Sequence, residues 1–160
     1  MNEKRKLVPV KVNWKAGAYE LYINGSEQST LIATTIVKLP DGSNKRLRII
    51  FESFAEFRYF NYNYGESNYN EYLVQAPDGV FLEDTADWGP YGLPFREDGV
   101  CINPYFYEVQ NTEWFNEKWY QKLTKQNFKH YLLVGYDSYL EVLAKDSIKY
   151  EFEDVNFKRI

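Results

Sequence analysis

The chain reads as α+β: a predominantly antiparallel sheet built from hairpins, closing as a barrel or a sandwich, with one amphipathic helix (about 111–125) packed on it. Three observations predict this. Fifteen Tyr, eleven Phe and four Trp in 160 residues favour pleated, half-buried surfaces over a Leu/Ala-rich bundle. Turn dipeptides separate short apolar runs along most of the chain. One run alone, Asn111 to Lys125, carries helical periodicity.

The organising stretch is Asn127 to Ala144. Two apolar runs, His130 to Val134 and Tyr139 to Ala144, flank Gly135-Tyr136-Asp137-Ser138 and predict a hairpin. Tyr131-Leu132-Leu133-Val134 is apolar on both faces, as in a strand covered by two layers.

From the N-terminus, Val8 to Trp14 and Ala18 to Asn24 read as the first two strands, with Asn24-Gly25 as a tight hairpin turn. Asn24-Gly25-Ser26 also matches a glycosylation sequon, a match that the turn reading absorbs. Thr30 to Leu39 and Lys45 to Ser53 form a second hairpin about Pro40-Asp41-Gly42-Ser43, so four strands make a meander. Phe54 to Tyr62 fits a strand or a short helical turn equally. Tyr72 to Ala76 and Val80 to Leu82 pair around Pro77-Asp78-Gly79, and Glu83 to Pro104 is an ordered irregular loop.

Tyr105 to Val109 is a short strand. In the helix that follows, Asn111 or Thr112 is placed to cap, and Phe115, Trp119 and Leu123 form one apolar stripe. Lys118, Lys122 and Lys125 lie towards its negative end. Ile148 to Val155 is the last strand. With no repeat, linker or low-complexity tract, residues 1–160 read as one domain.

A single cysteine, Cys101, excludes an internal disulfide and fits a reducing compartment. No apolar stretch follows the charged N-terminus as in a signal peptide, and no run is long enough to span a bilayer, so a cytoplasmic chain with no membrane contact is expected. Residues 61–117 hold eleven acids against one base, Arg96, a net −10 within a chain of −4. That balance argues against nucleic acid and favours a basic partner.

Chemical motifs are sparse. His130 is the sole histidine, so histidine-dependent catalysis must use it and a multi-histidine metal site is excluded. Cys101 reads as a buried, inert thiol. Nucleophile elbows, phosphate loops and dinucleotide-binding glycines are absent. Asp78, Glu83, Asp84 and Asp87 lack the alternating order that wraps calcium, so neither metal nor cofactor is expected. Glu141, the one charge inside Tyr139 to Ala144, needs a partner if that strand is covered; Arg58, between Phe57 and Tyr59, is the predicted mate.

The remaining signal is Tyr59 to Tyr72, where Tyr and Asn interleave with Gly and Ser, together with the loop holding Trp88. This composition suits a binding surface, and equally the edge of a β-rich core. The candidate partner-binding residues are Tyr62, Tyr64, Glu66, Tyr69, Glu71, Glu83, Asp84, Asp87, Trp88 and Tyr91. Two other classes stay open: a carbohydrate or small-ligand module using Tyr62, Tyr64, Trp88 and Tyr91, and a hydrolase using Glu141 or His130.

The order Glu20 to Gly25, Ile50 to Ser53 with Phe57-Arg58, Asn111 to Phe115, His130 to Leu133 and Leu140 to Ala144 resembles small bacterial proteins found among the immunity proteins of polymorphic toxin systems. The resemblance spans most of the chain, except the Tyr/Asn tract and the Trp88 loop. It implies a non-enzymatic protein that binds and neutralises a cognate toxin; the acidic segment suits a toxin that is basic.

Overall fold

The computed structural model describes residues 3–25 and 30–155, apart from the Trp119 side chain. Eleven strands form two sheets among them: β1 (Arg5–Pro9), β2 (Tyr22–Gly25), β3 (Leu31–Lys38), β4 (Asn44–Phe51), β5 (Phe54–Phe60), β6 (Tyr72–Gln75), β7 (Phe81–Leu82), β8 (Phe106–Val109), β9 (Lys129–Val134), β10 (Tyr139–Ala144) and β11 (Ile148–Asp154). The helices are α1 (Tyr64–Ser67) and α2 (Lys118–Lys125). Neither is long and apolar enough to cross a membrane.

The larger sheet has the order β5-β10-β9-β8-β1-β6-β7, and the smaller β11-β4-β3-β2. Every pairing is antiparallel except β1 with β6. The fold is α+β, dominated by antiparallel sheet. β3 alternates buried and half-buried residues, the pattern of a sheet covered on one face. Its Leu31, Ala33 and Val37 join Leu47, Ile49 and Phe51 of β4 against Phe106, Tyr131, Leu133, Leu140, Val142 and Ala144 of the larger sheet. This is the core of a sandwich. Phe106 stacks on Trp14 and Tyr131 at its centre.

The larger sheet is covered on its outer face too, where Leu7, Tyr64, Tyr72, Val74, Tyr107, Val109, Leu132, Val134 and Tyr139 cluster. Hence β10 is buried throughout and β9 is buried from His130 onward, as the two-sided apolar run predicted. Val134 pairs with Tyr139, and Gly135 closes the turn by donating to the Ser138 carbonyl at 2.8 Å. A Cβ on Gly135 would lie 2.6 Å from Leu21 Cγ. Gly135→Ala is therefore expected to cost about 1–3 kcal/mol by overpacking, read as a lowered denaturation midpoint.

The first strands differ from expectation. β1 begins at Arg5, not Val8, and sits inside the larger sheet between β8 and β6, so the meander has three strands rather than four. Val12, Trp14 and Ala16 bury alternate side chains along a largely unpaired crossing between the sheets, which imitates strand periodicity. The second strand shortens to Tyr22–Gly25. Asn24 and Gly25, expected as the turn, are instead paired strand residues, with Ile32 and Leu31 as partners; residues 26–29 lie outside the described residues. Gly42 and Gly79 take positive φ in the other two predicted turns.

The helix is also shorter. Its predicted span divides into a 3₁₀ turn, Trp114–Asn116, and α2, with Glu117 at the N-cap. Asn111 and Thr112 do not cap. Asn111 instead grips β1, donating to the Lys4 carbonyl at 2.8 Å and accepting from the Lys6 amide at 2.7 Å. Glu56 of β5 anchors this segment to the sheet, accepting from Tyr120 at 2.6 Å and from the Trp114 indole at 3.3 Å. The Trp119 side chain, part of the predicted stripe, lies outside the described residues.

Candidate functional site

Beyond Val109, β8 gives way to residues 110–117, and a cavity of about 670 Å³ opens there on the outer face of the larger sheet. Side-chain alternation puts Glu141 of β10 and His130 of β9 on this face, with Tyr139 and Leu132. Arg5 arrives on β1, held in place by the Asn111 grip on its two neighbours and by its own amide donating to the Glu71 carbonyl at 3.0 Å. Tyr64 arrives on α1, which Asn63 caps by accepting from the Glu66 amide.

A continuous hydrogen-bonded chain crosses the cavity floor. Arg5 Nη1 donates to Glu141 Oε1 at 2.6 Å. His130 Nε2 lies 2.8 Å from the same oxygen, and its Nδ1 lies 2.6 Å from Thr112 Oγ1. Thr112 in turn accepts from the Trp114 amide at 3.1 Å. Burial holds the His130 imidazole below its ordinary range despite the neighbouring carboxylate. Burial pushes Glu141 up, but the His130 hydrogen bond and the Arg5 charge outweigh it and keep the carboxyl below its usual value. These directions fix the tautomer. An ionised Glu141 only accepts, so neutral His130 carries its proton on Nε2, and the Thr112 hydroxyl donates to Nδ1.

The partner predicted for Glu141 is corrected by this geometry. Arg58 does stand directly opposite Glu141 in the β5–β10 register. Its guanidinium, however, lies 4.1 Å from the Trp114 ring centre, with Nε 3.5 Å from Glu56. On the edge strand, Arg58 finds an indole face and a half-exposed carboxylate, while Arg5 reaches the buried one. The ion pair is Arg5–Glu141, and His130 belongs to it.

The candidate binding residues occupy the same outer layer in three settings. Tyr62, Glu66, Tyr69, Glu71, Glu83 and Asp87 are exposed. Glu66, Tyr69, Glu83 and Asp84 line a smaller hollow of about 240 Å³, and Asn70 borders both this hollow and the main cavity. Asp84, Trp88 and Tyr91 are half-buried and engaged within the fold. Asp84 accepts from Tyr72 and Asn103, Trp88 packs on the outer cluster and donates to the Glu83 carbonyl, and Tyr91 donates to Asp78.

Tyr64 is buried among Tyr72 and Tyr139 at the cavity wall. Burial lifts its hydroxyl to about 12. That hydroxyl has no hydrogen-bond partner among the described residues. The Arg5 guanidinium is close enough to bear on its titration, yet no bond of acceptable geometry joins them.

Sequence reasoning missed Arg5, Asn111 and Thr112. Arg5 sits between two lysines and reads as part of a solvated terminus. The parallel β1–β6 pairing that carries it inward leaves no local mark. Cys101 is buried, as expected, and burial raises its thiol. No group of three His, Cys, Asp or Glu among the described residues is placed to hold a metal ion. Comparisons with protein-family models, curated proteins and solved structures found no match to this chain.

Proposed function

We propose that this chain is a non-enzymatic binding module that captures a basic protein partner, in the manner of an immunity-type inhibitor. The observation that carries the reading is the acidic rim of the cavity. Glu71, Glu113 and Glu117 line its mouth, all exposed, and none joins an ion pair among the described residues. Through Asn70 this rim continues into the hollow bearing Glu66, Tyr69 and Glu83. Exposed acids that join no ion pair, as Glu71, Glu113 and Glu117 do not among the described residues, repel one another, and a basic partner relieves that repulsion while being steered to the site. Exposed Tyr62 and Tyr69 supply rigid contact area beside the acids.

The test is affinity capture from the native host at low salt and at about 0.5 M, where exposed charges are screened beyond a few ångströms. A stoichiometric basic protein, weakened at high salt and by Glu66→Gln with Glu83→Gln, is expected. Capture of no protein at either salt overturns the proposal.

One observation favours a second reading. A hydroxyl donating to a neutral imidazole that is itself held by a carboxylate is the relation of nucleophile to general base. On that reading Thr112 acts on an acyl substrate in the cavity. Release of nitrophenol from a nitrophenyl ester, abolished in both Thr112→Val and His130→Gln, is its signature; equal rates in the wild type and both variants rule it out.

A further inference from the structure

We propose that the main cavity binds a ligand carrying a carboxylate and a cationic group together, the chemistry of a basic amino acid, free or at the carboxyl end of a chain. The choice of a basic ligand rests on the inhibitor reading and names the part of a partner that enters. The cavity's volume, about 670 Å³, lies in the range of small-molecule sites.

Its floor lacks an acceptor. The Tyr64 residue is 2% exposed, and its hydroxyl has no partner among the described residues. Buried hydroxyls are almost always hydrogen-bonded, so an orphan at a cavity wall marks a place for a ligand atom. Arg5 beside it bears only donors and cannot receive the Tyr64 proton. Of the Arg5 nitrogens, Nη1 alone is spent on Glu141 among the described residues, which leaves Nη2 and Nε without a partner there, on a residue that lines the cavity. Two guanidinium donors with a phenol donor alongside match the oxygens of a carboxylate.

The rim has the opposite character. Glu71, Glu113 and Glu117 are exposed acceptors at the mouth, and besides Arg5 the exposed or half-exposed cations lining the same cavity, Lys4 and Arg58, are already paired with Glu83 and Glu56. A ligand seated with its carboxylate on Tyr64 and Arg5 therefore meets carboxylates with its outer end. An anion alone would have to pass that rim, and a cation alone would leave Tyr64 unanswered.

Calorimetric titration of the full chain tests this with four probes: free arginine, an acetylated Gly-Ser-Gly-Arg peptide ending in a carboxylate, the same peptide ending in an amide, and an acid-ended peptide with Glu in place of Arg. Binding of the acid-ended Arg peptide, at least about tenfold weaker for its amide and for the Glu peptide, is expected. Free arginine binding as tightly as that peptide assigns the site to a small molecule; weaker binding assigns it to a chain terminus. Tyr64→Phe is expected to lose about tenfold in affinity with an unchanged or raised melting temperature, because the removed hydroxyl has no partner in the free protein. Equal binding of acid and amide, no binding of any probe, or full affinity in Tyr64→Phe overturns the proposal. Capture of a basic protein that survives Tyr64→Phe but not Glu66→Gln with Glu83→Gln sinks the cavity proposal alone. Arginine binding with no protein partner sinks the inhibitor reading alone.

Discussion

Raised above pH 10, the protein is expected to unfold cooperatively before pH 12, with tyrosinate absorbance and far-ultraviolet circular dichroism changing together. Burial lifts the hydroxyls of Tyr64 and Tyr150 to about 12, and those of Tyr72, Tyr107 and Tyr131 are raised as well. For Tyr72, hydrogen bonding to Asp84 adds to burial. A hydroxyl raised in the folded state stabilises the fold fully below its unfolded value, near 10. That stabilisation is lost as pH climbs towards the folded value, because the unfolded chain ionises first. For Tyr64 alone the loss amounts to roughly 3 kcal/mol once both forms are ionised. Several such losses together approach the 5–15 kcal/mol that holds a typical domain. Smooth, independent ionisation with intact dichroism through pH 12 would contradict this account.

This aromatic burden is also where the sequence spoke most clearly. Tyrosine and phenylalanine in short runs between turn residues announced strands, and β9 and β10, apolar on both faces, announced a strand pair with a layer on each side. Both layers exist. What local pattern could not carry was the placement of β1. Pairing with β6 spans more than sixty residues, and three charges at Lys4-Arg5-Lys6 conceal a side chain that ends at a buried carboxylate. The same distance hid the site. Glu141 showed itself because a charge in a covered strand needs a partner, and Arg58 was a sound choice by register. Which arginine reaches the carboxylate depends on the Trp114 indole, which holds Arg58 aside. Thr112 was read as a helix cap because threonine before an acidic helical turn usually is one. Here its hydroxyl is spent on the Trp114 amide and on His130.

Glu141→Gln separates the two arginines. The substitution keeps the size and leaves an amide oxygen for His130, but removes the charge that Arg5 faces. Breaking a fully buried pair costs about 3–5 kcal/mol. Arg5 retains some contact with water, its side chain being 35% exposed, so about 2–3 kcal/mol is expected at pH 7. Arg5→Gln should cost a similar amount, and the double variant less than the sum. Arg58→Gln, which touches an exposed pair and an indole face, should cost under about 1 kcal/mol and add independently to Glu141→Gln. Coupling of Glu141 to Arg58 rather than Arg5 would reverse the assignment. The pH dependence supplies a second check. Glu141 is held below its ordinary value, so its stabilisation is present above about pH 4.5 and is lost as pH falls through the folded value. His130 is also held low, so its contribution is lost as pH falls below about 6.5. Wild type therefore weakens through both ranges, while the variant weakens through the histidine range alone. The gap between them should close below pH 4.5, where the protonated carboxyl of the wild type becomes equivalent to the amide. A gap that does not narrow as pH falls below 4.5 would mean that Glu141 acts through its shape and not its charge.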